Sequence, residues 1–206
     1  MDETERVRRT YDRIAEQYDR SDRSERILFG SGVRSICGDA RGDVLEVAIG
    51  SGRSLPYYGD DVRLTGIDLS NGMLAIARRR AAELGLDVDL RVGDAQALEF
   101  PRDSFDTVVC VFAVCTIPDD RRALEEAHRV LRPGGRLLLA EHVRSPNTVV
   151  RLLQRLAEPI LFRLAGDHLL RDPLDHLAGA GFEPERVERS RLGLLERVWA
   201  KTQPSK

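Results

Sequence analysis

Short apolar runs alternate with amphipathic stretches along the chain, a pattern typical of a parallel sheet with helical crossovers. The runs that predict strands are Val44–Ile49, Val62–Ile67, Val88–Val92, Phe105–Ala113, Arg136–Val143, Phe182–Ser190 and Leu194–Thr202. Apolar residues at helical spacing predict helices at Glu3–Tyr18, Ser24–Cys37, Asn71–Leu84, Asp119–Leu131, Thr148–Leu164 and Leu174–Ala180. We expect Pro133-Gly134-Gly135 to end the helix before the fifth strand, and the last two strands to pair antiparallel near Gly193.

One helical stretch, Thr148–Leu164, does not belong to a minimal α/β core. Pro159 is expected to break or kink it, and Arg151, Arg155 and Arg163 lie mostly off its apolar stripe. The stripe residues are Val149, Leu152, Leu153, Leu156, Ile160 and Leu164. Three interpretations fit them: a helix packed on the sheet edge, a lid over a substrate, or an interfacial helix in peripheral contact with a membrane.

No repeat or linker divides the chain, so we expect one domain over residues 1–206. Residues 1–40 are expected to form a helical N-terminal cover, and residues 144–171 an inserted lid or substrate segment. We further expect a monomer or a homodimer.

Composition and charge exclude several classes of protein. The 206 residues are 42% hydrophobic and 32% charged, as in a globular protein, and the formal charge of −2 gives no support to nucleic-acid binding. No apolar run approaches the roughly 20 residues of a spanning helix, and the charged N-terminus lacks a signal-peptide pattern, so we expect a cytoplasmic protein with no integral membrane segment. Three cysteines without CxxC spacing and four histidines without recurrent ligand spacing predict neither a disulfide framework nor a metal site.

The residues that indicate chemistry lie where predicted strands end. In the run VLEVAIGSGRS, Glu46 is placed to receive a cation, while Gly50 and Gly52 permit a tight turn and a close backbone approach to a ligand. Asp68 ends the second strand, where a carboxylate can accept both ribose hydroxyls of a nucleoside. Asp94 follows the third strand, where it can accept a hydrogen bond from an adenine amino group.

Two nucleoside cofactors could use acids at three successive strand ends. A nicotinamide dinucleotide expects G-x-G-x-x-G, and Leu55 occupies the third glycine position. S-adenosylmethionine (SAM) has no pyrophosphate, and an acidic strand end followed by alternating glycines suits its amino acid end, sulfonium and ribose better. The backbone N–H of Ala95 can serve a ring nitrogen of its adenine. A tight strand-to-helix turn without any ligand is the remaining interpretation.

Five segments of the chain together indicate a family: YDRIAEQYD, LEVAIGSG, GIDLSNGML, GDAQALEFPRDSFD and RVLRPGGRLLLAEHV. With them the chain resembles class I SAM-dependent methyltransferases of the ubiquinone/menaquinone-biosynthesis type over nearly its whole length. The resemblance implies an α/β fold with a Rossmann-like seven-stranded sheet of order 3-2-1-4-5-7-6, the seventh strand antiparallel and helices on both faces. It implies SAM as donor and S-adenosylhomocysteine as product.

The resemblance also implies which residues contact the cofactor: Tyr11, Tyr18, Glu46, Ala48, Gly50, Gly52, Asp68, Leu69, Asp94 and Ala95. Tyr11 or Tyr18 is expected to cover the cofactor from the N-terminal helix. Ala48 stands where the family has its first glycine, and its methyl group is expected to shift the methionine end of the cofactor slightly.

The methyl acceptor is predicted to be a small, largely apolar molecule. Phe112, Val114 and Ile117 lie at and beyond the end of the predicted fourth strand and suggest an apolar wall. Enzymes of the superfamily that methylate amino groups of bases or glutamine carry (Asp/Asn)-Pro-Pro-(Tyr/Phe) after this strand, and the chain lacks that run. The stretch from Cys110 to Phe182 resembles alkyl thiol methyltransferase-like proteins, GSGRSLPYY resembles small bacterial phosphatidylethanolamine N-methyltransferases, and YDRIAEQYD resembles quinone C-methyltransferases. The thiol-like segment covers the expected substrate contacts, so a thiol is the predicted acceptor, with the amino-lipid and the demethylquinone as alternatives.

Few residues are candidates for catalysis or acceptor binding. His142, at the end of the fifth strand, is a candidate base or acceptor-orienting group, with a structural role as the alternative. Phe112, Cys115 and His168 are candidate acceptor contacts. Two other classes stay open: a SAM-binding module without catalysis, which only Ala48 favours, and a nicotinamide oxidoreductase.

Overall fold

The computed structural model describes residues 2–20, 32–166 and 168–203. The strands are β1 (Asp43–Val47), β2 (Arg63–Asp68), β3 (Asp89–Val92), β4 (Phe105–Val111), β5 (Leu131–His142), β6 (Phe182–Arg189) and β7 (Leu195–Thr202). The helices are α1 (Glu3–Arg20), α2 (32–38), α3 (Asn71–Leu84), α4 (Asp120–Val130), α5 (Thr148–Ala165) and α6 (Leu174–Leu177), with a 3₁₀ turn at Leu55–Tyr57. The predicted helix Ser24–Cys37 lies partly outside the described residues, and its described part is helical.

The seven strands form one sheet of order β3-β2-β1-β4-β5-β7-β6. Neighbours from β3 through β5 are parallel, whereas β7 runs antiparallel to both β5 and β6. This confirms the predicted α/β class and strand order. Because parallel strands end at one edge of the sheet, the residues that follow β1, β2, β3 and β4 meet there.

Apolar clusters cover both faces of the sheet, and alternate residues of β5 supply them. Leu137 and Leu139 pack with α4 and α6 on one face. Leu138 and Ala140 pack with α2 and α3 on the other. Burial on both faces explains why the central strands are apolar nearly throughout.

Local end signals determine the bounds of α3, which were predicted correctly. Ser70 Oγ accepts the N–H of Met73 at 3.1 Å, which caps the first turn. Gly85 follows the last turn with φ 69°, a left-handed conformation that suits glycine.

The start of β5 was predicted wrongly, at Arg136 instead of Leu131. Pro133 and the two glycines after it were expected to form a turn ahead of the strand, but they lie inside it. Leu131 pairs with Phe105 of β4, and the register shifts after that pair. Pairing across the sheet thus extends the strand past residues that locally favour a turn.

Two expectations about helices also differ from the structure. Pro159 does not break α5, which continues to Ala165. Pro159 lies on the solvent-exposed side of the helix, where water can satisfy the carbonyl group that a proline leaves unpaired. Helix α6 ends at Leu177 rather than Ala180. The other described ends lie within about two residues of their predicted positions, as helix and strand ends commonly do.

Candidate active site

A cleft opens at the carboxyl edge of the sheet, beside α1. Its empty space, which includes space open to solvent, amounts to about 1170 Å³. The predicted site residues that line it are Tyr11, Tyr18, Glu46, Ala48, Gly50, Asp68, Leu69, Asp94, Ala95 and Phe112.

The turn after β1 places backbone atoms at the wall of the cleft. Ala48 has φ 53° and Gly50 has φ 57°, both in the left-handed region. A Cβ built on Gly50 would meet nothing within 4 Å, so that position faces open space. Gly52 does not line the cleft: a Cβ there would lie 2.7 Å from Cδ1 of Leu55, so this glycine permits close packing behind the turn.

Glu46 reaches the cleft from a buried position near the end of β1. Its Oε2 accepts hydrogen bonds from Ser54 Oγ at 2.7 Å and from the Tyr58 hydroxyl at 2.9 Å. Burial raises the pKa of the carboxyl group from 4.5 to about 7, although both hydrogen bonds lower it. Neither Ser54 nor Tyr58 was predicted to have a role, although both lie in the segment GSGRSLPYY.

Asp68 is held at the end of β2 by two backbone N–H groups. Its Oδ2 accepts from Gly50 at 2.9 Å, and its Oδ1 accepts from Ser70 at 2.8 Å. Burial raises the pKa of the carboxyl group from 3.8 to about 6, against the effect of these bonds. Each oxygen keeps a second lone pair, so the oriented carboxylate can still accept two hydroxyl groups.

Asp94 is oriented by Gln96, a residue that the sequence analysis missed. The backbone N–H of Gln96 donates to Asp94 Oδ1 at 2.8 Å, and its Nε2 donates to the same oxygen at 3.0 Å. The Gln96 side chain also bonds Thr4 Oγ1 of α1 and the N–H of Asp119 ahead of α4. Gln96 thereby connects the cleft wall to two helices.

Helix α1 covers one side of the cleft through Tyr11 and Tyr18, whose rings meet edge to face with centroids 6.2 Å apart. The guanidinium of Arg53 lies 4.2 Å from the centroid of the Tyr18 ring. Asp12 Oδ1 accepts from Ser70 Oγ at 2.7 Å and from the N–H of Gly72 at 3.0 Å, which fixes α1 to the start of α3. Arg53 and Asp12 lie inside quoted segments, but only contacts made in the fold assign them these tasks.

The segment after β4 forms another wall of the cleft. Phe112 has φ 52°, and its ring stacks on that of His142, with centroids 4.5 Å and planes 21° apart. Burial lowers the pKa of His142, which favours the neutral imidazole at neutral pH. His142 is not among the residues that line the cleft, and it contacts the wall through its stacking on Phe112.

Residues 112–118 are held in place by one carboxylate and one guanidinium. Glu141 Oε1 accepts the N–H groups of Ala113 and Val114, each at 3.1 Å. Burial raises the pKa of Glu141 to about 7. Arg171 donates to the carbonyl groups of Val114, Ile117 and Pro118. Segment 168–171 thus clamps this wall of the cleft.

The structure leaves two predicted acceptor contacts outside the cleft wall. Cys115 is buried, and its carbonyl accepts the N–H of His168 at 2.9 Å. The His168 imidazole turns to α5, with Nδ1 3.6 Å from Glu158 Oε1. Both residues support the clamped segment rather than face the cleft.

Comparisons with known proteins agree with this geometry. The profile of a family described as a methyltransferase domain matches residues 45–139. A phosphatidylethanolamine N-methyltransferase from Cereibacter sphaeroides is 47% identical over 103 residues, which cover 49% of this chain and 51% of that protein. A demethylmenaquinone methyltransferase from Clavibacter sepedonicus is 31% identical over 172 residues, 77% of this chain and 68% of that one. The chain spans about half the length of most of the first curated relatives it matches.

A solved SAM-dependent methyltransferase from Thermotoga maritima has the same fold, with a TM-score of 0.75, 22% identity and coverage of 96% of this chain and 100% of that one. The chain belongs to the class I SAM-dependent methyltransferases. Within the described ranges, no helix has the length and apolar content needed to cross a membrane.

Proposed function

We propose that this methyltransferase acts on the amino headgroup of an amphipathic lipid, with phosphatidylethanolamine as the best match. The carrying observation is that Tyr57 and Phe112, which are not assigned to the donor, line the same cleft as the donor residues. Aromatic faces stabilise cations, including methylated ammonium groups. An ammonium product benefits from such a wall, whereas the neutral thioether made from a thiol does not.

Similarity to known proteins supports the same acceptor. The Cereibacter sphaeroides relative is 47% identical over 103 residues, and it is named for phosphatidylethanolamine. The relatives compared give no support to the thiol that the sequence analysis preferred. Quinone C-methylation is the second candidate, because the Clavibacter sepedonicus demethylmenaquinone enzyme aligns over the larger share of both chains.

The cleft residues fit the donor. When bound, SAM supplies a methyl group on a sulfonium, which is transferred by in-line displacement. Asp68 would accept the ribose hydroxyls, and Glu46 the amino group of the methionine end. Asp94 and the N–H of Ala95 would bind the adenine. The open space at Gly50 lets the backbone approach the ligand.

The acceptor side supplies orientation and exclusion of water. The lone pair of the amine forms the new N–C bond as the C–S bond breaks and leaves its electrons on sulfur. The amine must first lose its proton, which passes to solvent through the open part of the cleft. Phe112 shields the reacting atoms, and we assign His142 the positioning of Phe112 rather than proton transfer.

A competition among acceptors tests the proposal. The purified enzyme is incubated with SAM and, in separate mixed micelles, phosphatidylethanolamine, a demethylmenaquinone or a long-chain alkyl thiol, and the products are identified by mass spectrometry. We expect successive methyl additions to phosphatidylethanolamine. Methylation of the quinone or the thiol alone contradicts the proposal.

Asp68→Ala tests the assignment of the donor site. Losing the two hydrogen bonds to the ribose should weaken S-adenosylhomocysteine binding by about 2–3 kcal/mol, since bonds to charged groups have about this strength. Isothermal titration calorimetry measures the change. Asp89→Ala at the exposed start of β3 is the matched control and should bind like the unmodified enzyme. Unchanged affinity in Asp68→Ala would show that Asp68 does not bind the cofactor.

A further inference from the structure

Helix α5 presents an apolar face to solvent. Five of its side chains are between 56% and 69% exposed: Val149, Leu152, Leu153, Leu156 and Ile160. Their spacing places them on one side of the helix, and we call this set the α5 stripe. Burying these residues against water-free surroundings would be favourable by roughly 25 cal/mol per Å² of apolar surface, so the exposure is costly.

The inward side of α5 is partly polar, and its contacts fix the orientation of the helix. Gln154 is buried, its Oε1 accepts the N–H of Ser145 at 2.8 Å, and its Nε2 donates to the Val143 carbonyl at 3.0 Å. Glu158 faces His168. Rotating the helix to bury the α5 stripe would break these hydrogen bonds. The buried contacts of α5 therefore keep the stripe exposed to solvent.

Positive charges of α5 face the solvent, whereas its negative charge does not. Arg155 and Arg163 are exposed, whereas Glu158, the one acidic residue of the helix, is turned inward. An apolar strip bordered by arginines complements a surface that is apolar beneath a layer of negative charge. A bilayer that contains anionic phospholipids has this arrangement, with negatively charged headgroups above an apolar interior.

We propose that the α5 stripe is a membrane-binding surface, on which the enzyme lies with its leucines among the acyl chains and Arg155 and Arg163 at the level of the lipid phosphates. A convex surface one helix wide suits the interface of a bilayer, where arginine side chains reach the headgroups while apolar neighbours insert.

Contacts between α5 and α1 bring this surface close to the cleft. The Arg6 guanidinium lies 4.3 Å from the centroid of the Phe162 ring, and the next residue of α1, Val7, lines the cleft. Docking of α5 therefore holds the cleft near lipid headgroups. The inference goes beyond the proposed function, because vesicle binding needs neither donor nor acceptor.

Vesicle flotation with the full-length protein tests the proposal. The vesicles contain phosphatidylcholine alone or phosphatidylcholine mixed with phosphatidylglycerol. We expect binding to the anionic vesicles, and a loss of at least tenfold in the partition coefficient for the double variant L152Q/L156Q. The control L86Q alters an exposed leucine after α3 and should bind like the unmodified protein. R155Q/R163Q should lose the preference for anionic vesicles.

Two further measurements make the outcomes decisive. Thermal unfolding with S-adenosylhomocysteine checks that the variants fold. We expect them to fold, because both leucines are solvent-exposed. Light scattering reports the oligomeric state.

Failure of the unmodified protein to float with anionic vesicles, or equal flotation of L152Q/L156Q, overturns the proposal. A dimer that dissociates in L152Q/L156Q without vesicle binding would assign the stripe to contact between copies. Vesicle binding without methylation of phosphatidylethanolamine would refute the proposed function alone.

Discussion

At the residue scale, Ala48 has a backbone conformation that favours glycine. Its φ of 53° lies in the left-handed region, where a Cβ atom costs about 1–2 kcal/mol. Ala48→Gly should therefore stabilise the protein by about 1 kcal/mol, despite the greater flexibility of the unfolded chain. Thermal or urea unfolding measures the change. Ala75→Gly, on the exposed side of α3, is the control and should destabilise by about 1 kcal/mol; destabilisation by both variants would contradict strain at Ala48.

Three buried acids make the stability of the ligand-free protein depend on pH. Burial raises the pKa of Glu46 and that of Glu141 from 4.5 to about 7, and that of Asp68 from 3.8 to about 6. Between these limits the folded protein binds protons that the unfolded chain has released, so stability is lost as pH rises from about 5 to 8. The loss should be on the order of 2 kcal/mol for Glu46, since one pKa unit corresponds to about 1.4 kcal/mol.

A series of thermal unfolding measurements across this pH range checks the sign. Glu46→Gln keeps an acceptor for Ser54 and Tyr58 but cannot ionise, so its profile should be flatter than that of the unmodified protein. S-adenosylhomocysteine carries an ammonium group, so its affinity should rise over the same interval. A profile that rises with pH in the absence of ligand would contradict the assignment.

At the element scale, Arg171 connects two segments that are distant in sequence. Its guanidinium donates to three carbonyl groups of residues 114–118. Arg171→Met should leave these acceptors without their donor and destabilise the protein by about 2 kcal/mol, measured by urea unfolding. Arg121→Met removes an exposed pair with Glu125 on α4 and should change stability by less than about 1 kcal/mol. Equal effects would mean that the clamp contributes nothing specific.

Elements with local end signals could be predicted from the sequence, and elements shaped by distant partners could not. The bounds of α3 were predicted from apolar residues at helical spacing, and Ser70 and Gly85 mark the same ends in the structure. The start of β5 was missed because a partner in β4 extends the strand through Pro133. For α5 the pattern showed which residues share a face but not where that face points, since Gln154 and its backbone partners decide the orientation.

The same division applies to the site. Glu46, Asp68 and Asp94 could be singled out because each lies where an apolar strand ends, and the parallel topology brings these ends together. The residues that orient them, such as Tyr58 and Gln96, could not, because a hydroxyl or amide carries no signal of its own until the chain folds. His142 was singled out for its chemistry, but it does not line the cleft and contacts the wall through Phe112.

At the scale of the whole molecule, the cleft is closed on one side by α1, which an apolar cluster of Ala15 with Met73 and Ile76 and several polar contacts attach to the rest of the fold. Asp12 bonds the start of α3, and Asp19 accepts from Arg80 Nη2 at 2.7 Å. A ligand that touches both Tyr11 and the sheet edge adds its binding energy to this attachment. S-adenosylhomocysteine should therefore slow hydrogen exchange of the α1 amides at least tenfold, measured by mass spectrometry.

The amides of β6 provide the internal control for this exchange experiment, because β6 lies at the edge of the sheet away from the cleft. Asp12→Ala removes the bonds to Ser70 and Gly72, so its α1 amides should exchange faster without ligand and regain part of their protection with it. Equal protection of α1 and β6 would indicate global stabilisation, since a ligand that binds any folded state raises its stability throughout. Selective protection of α1 requires that the ligand lie against that helix, which is the arrangement that the cleft geometry favours.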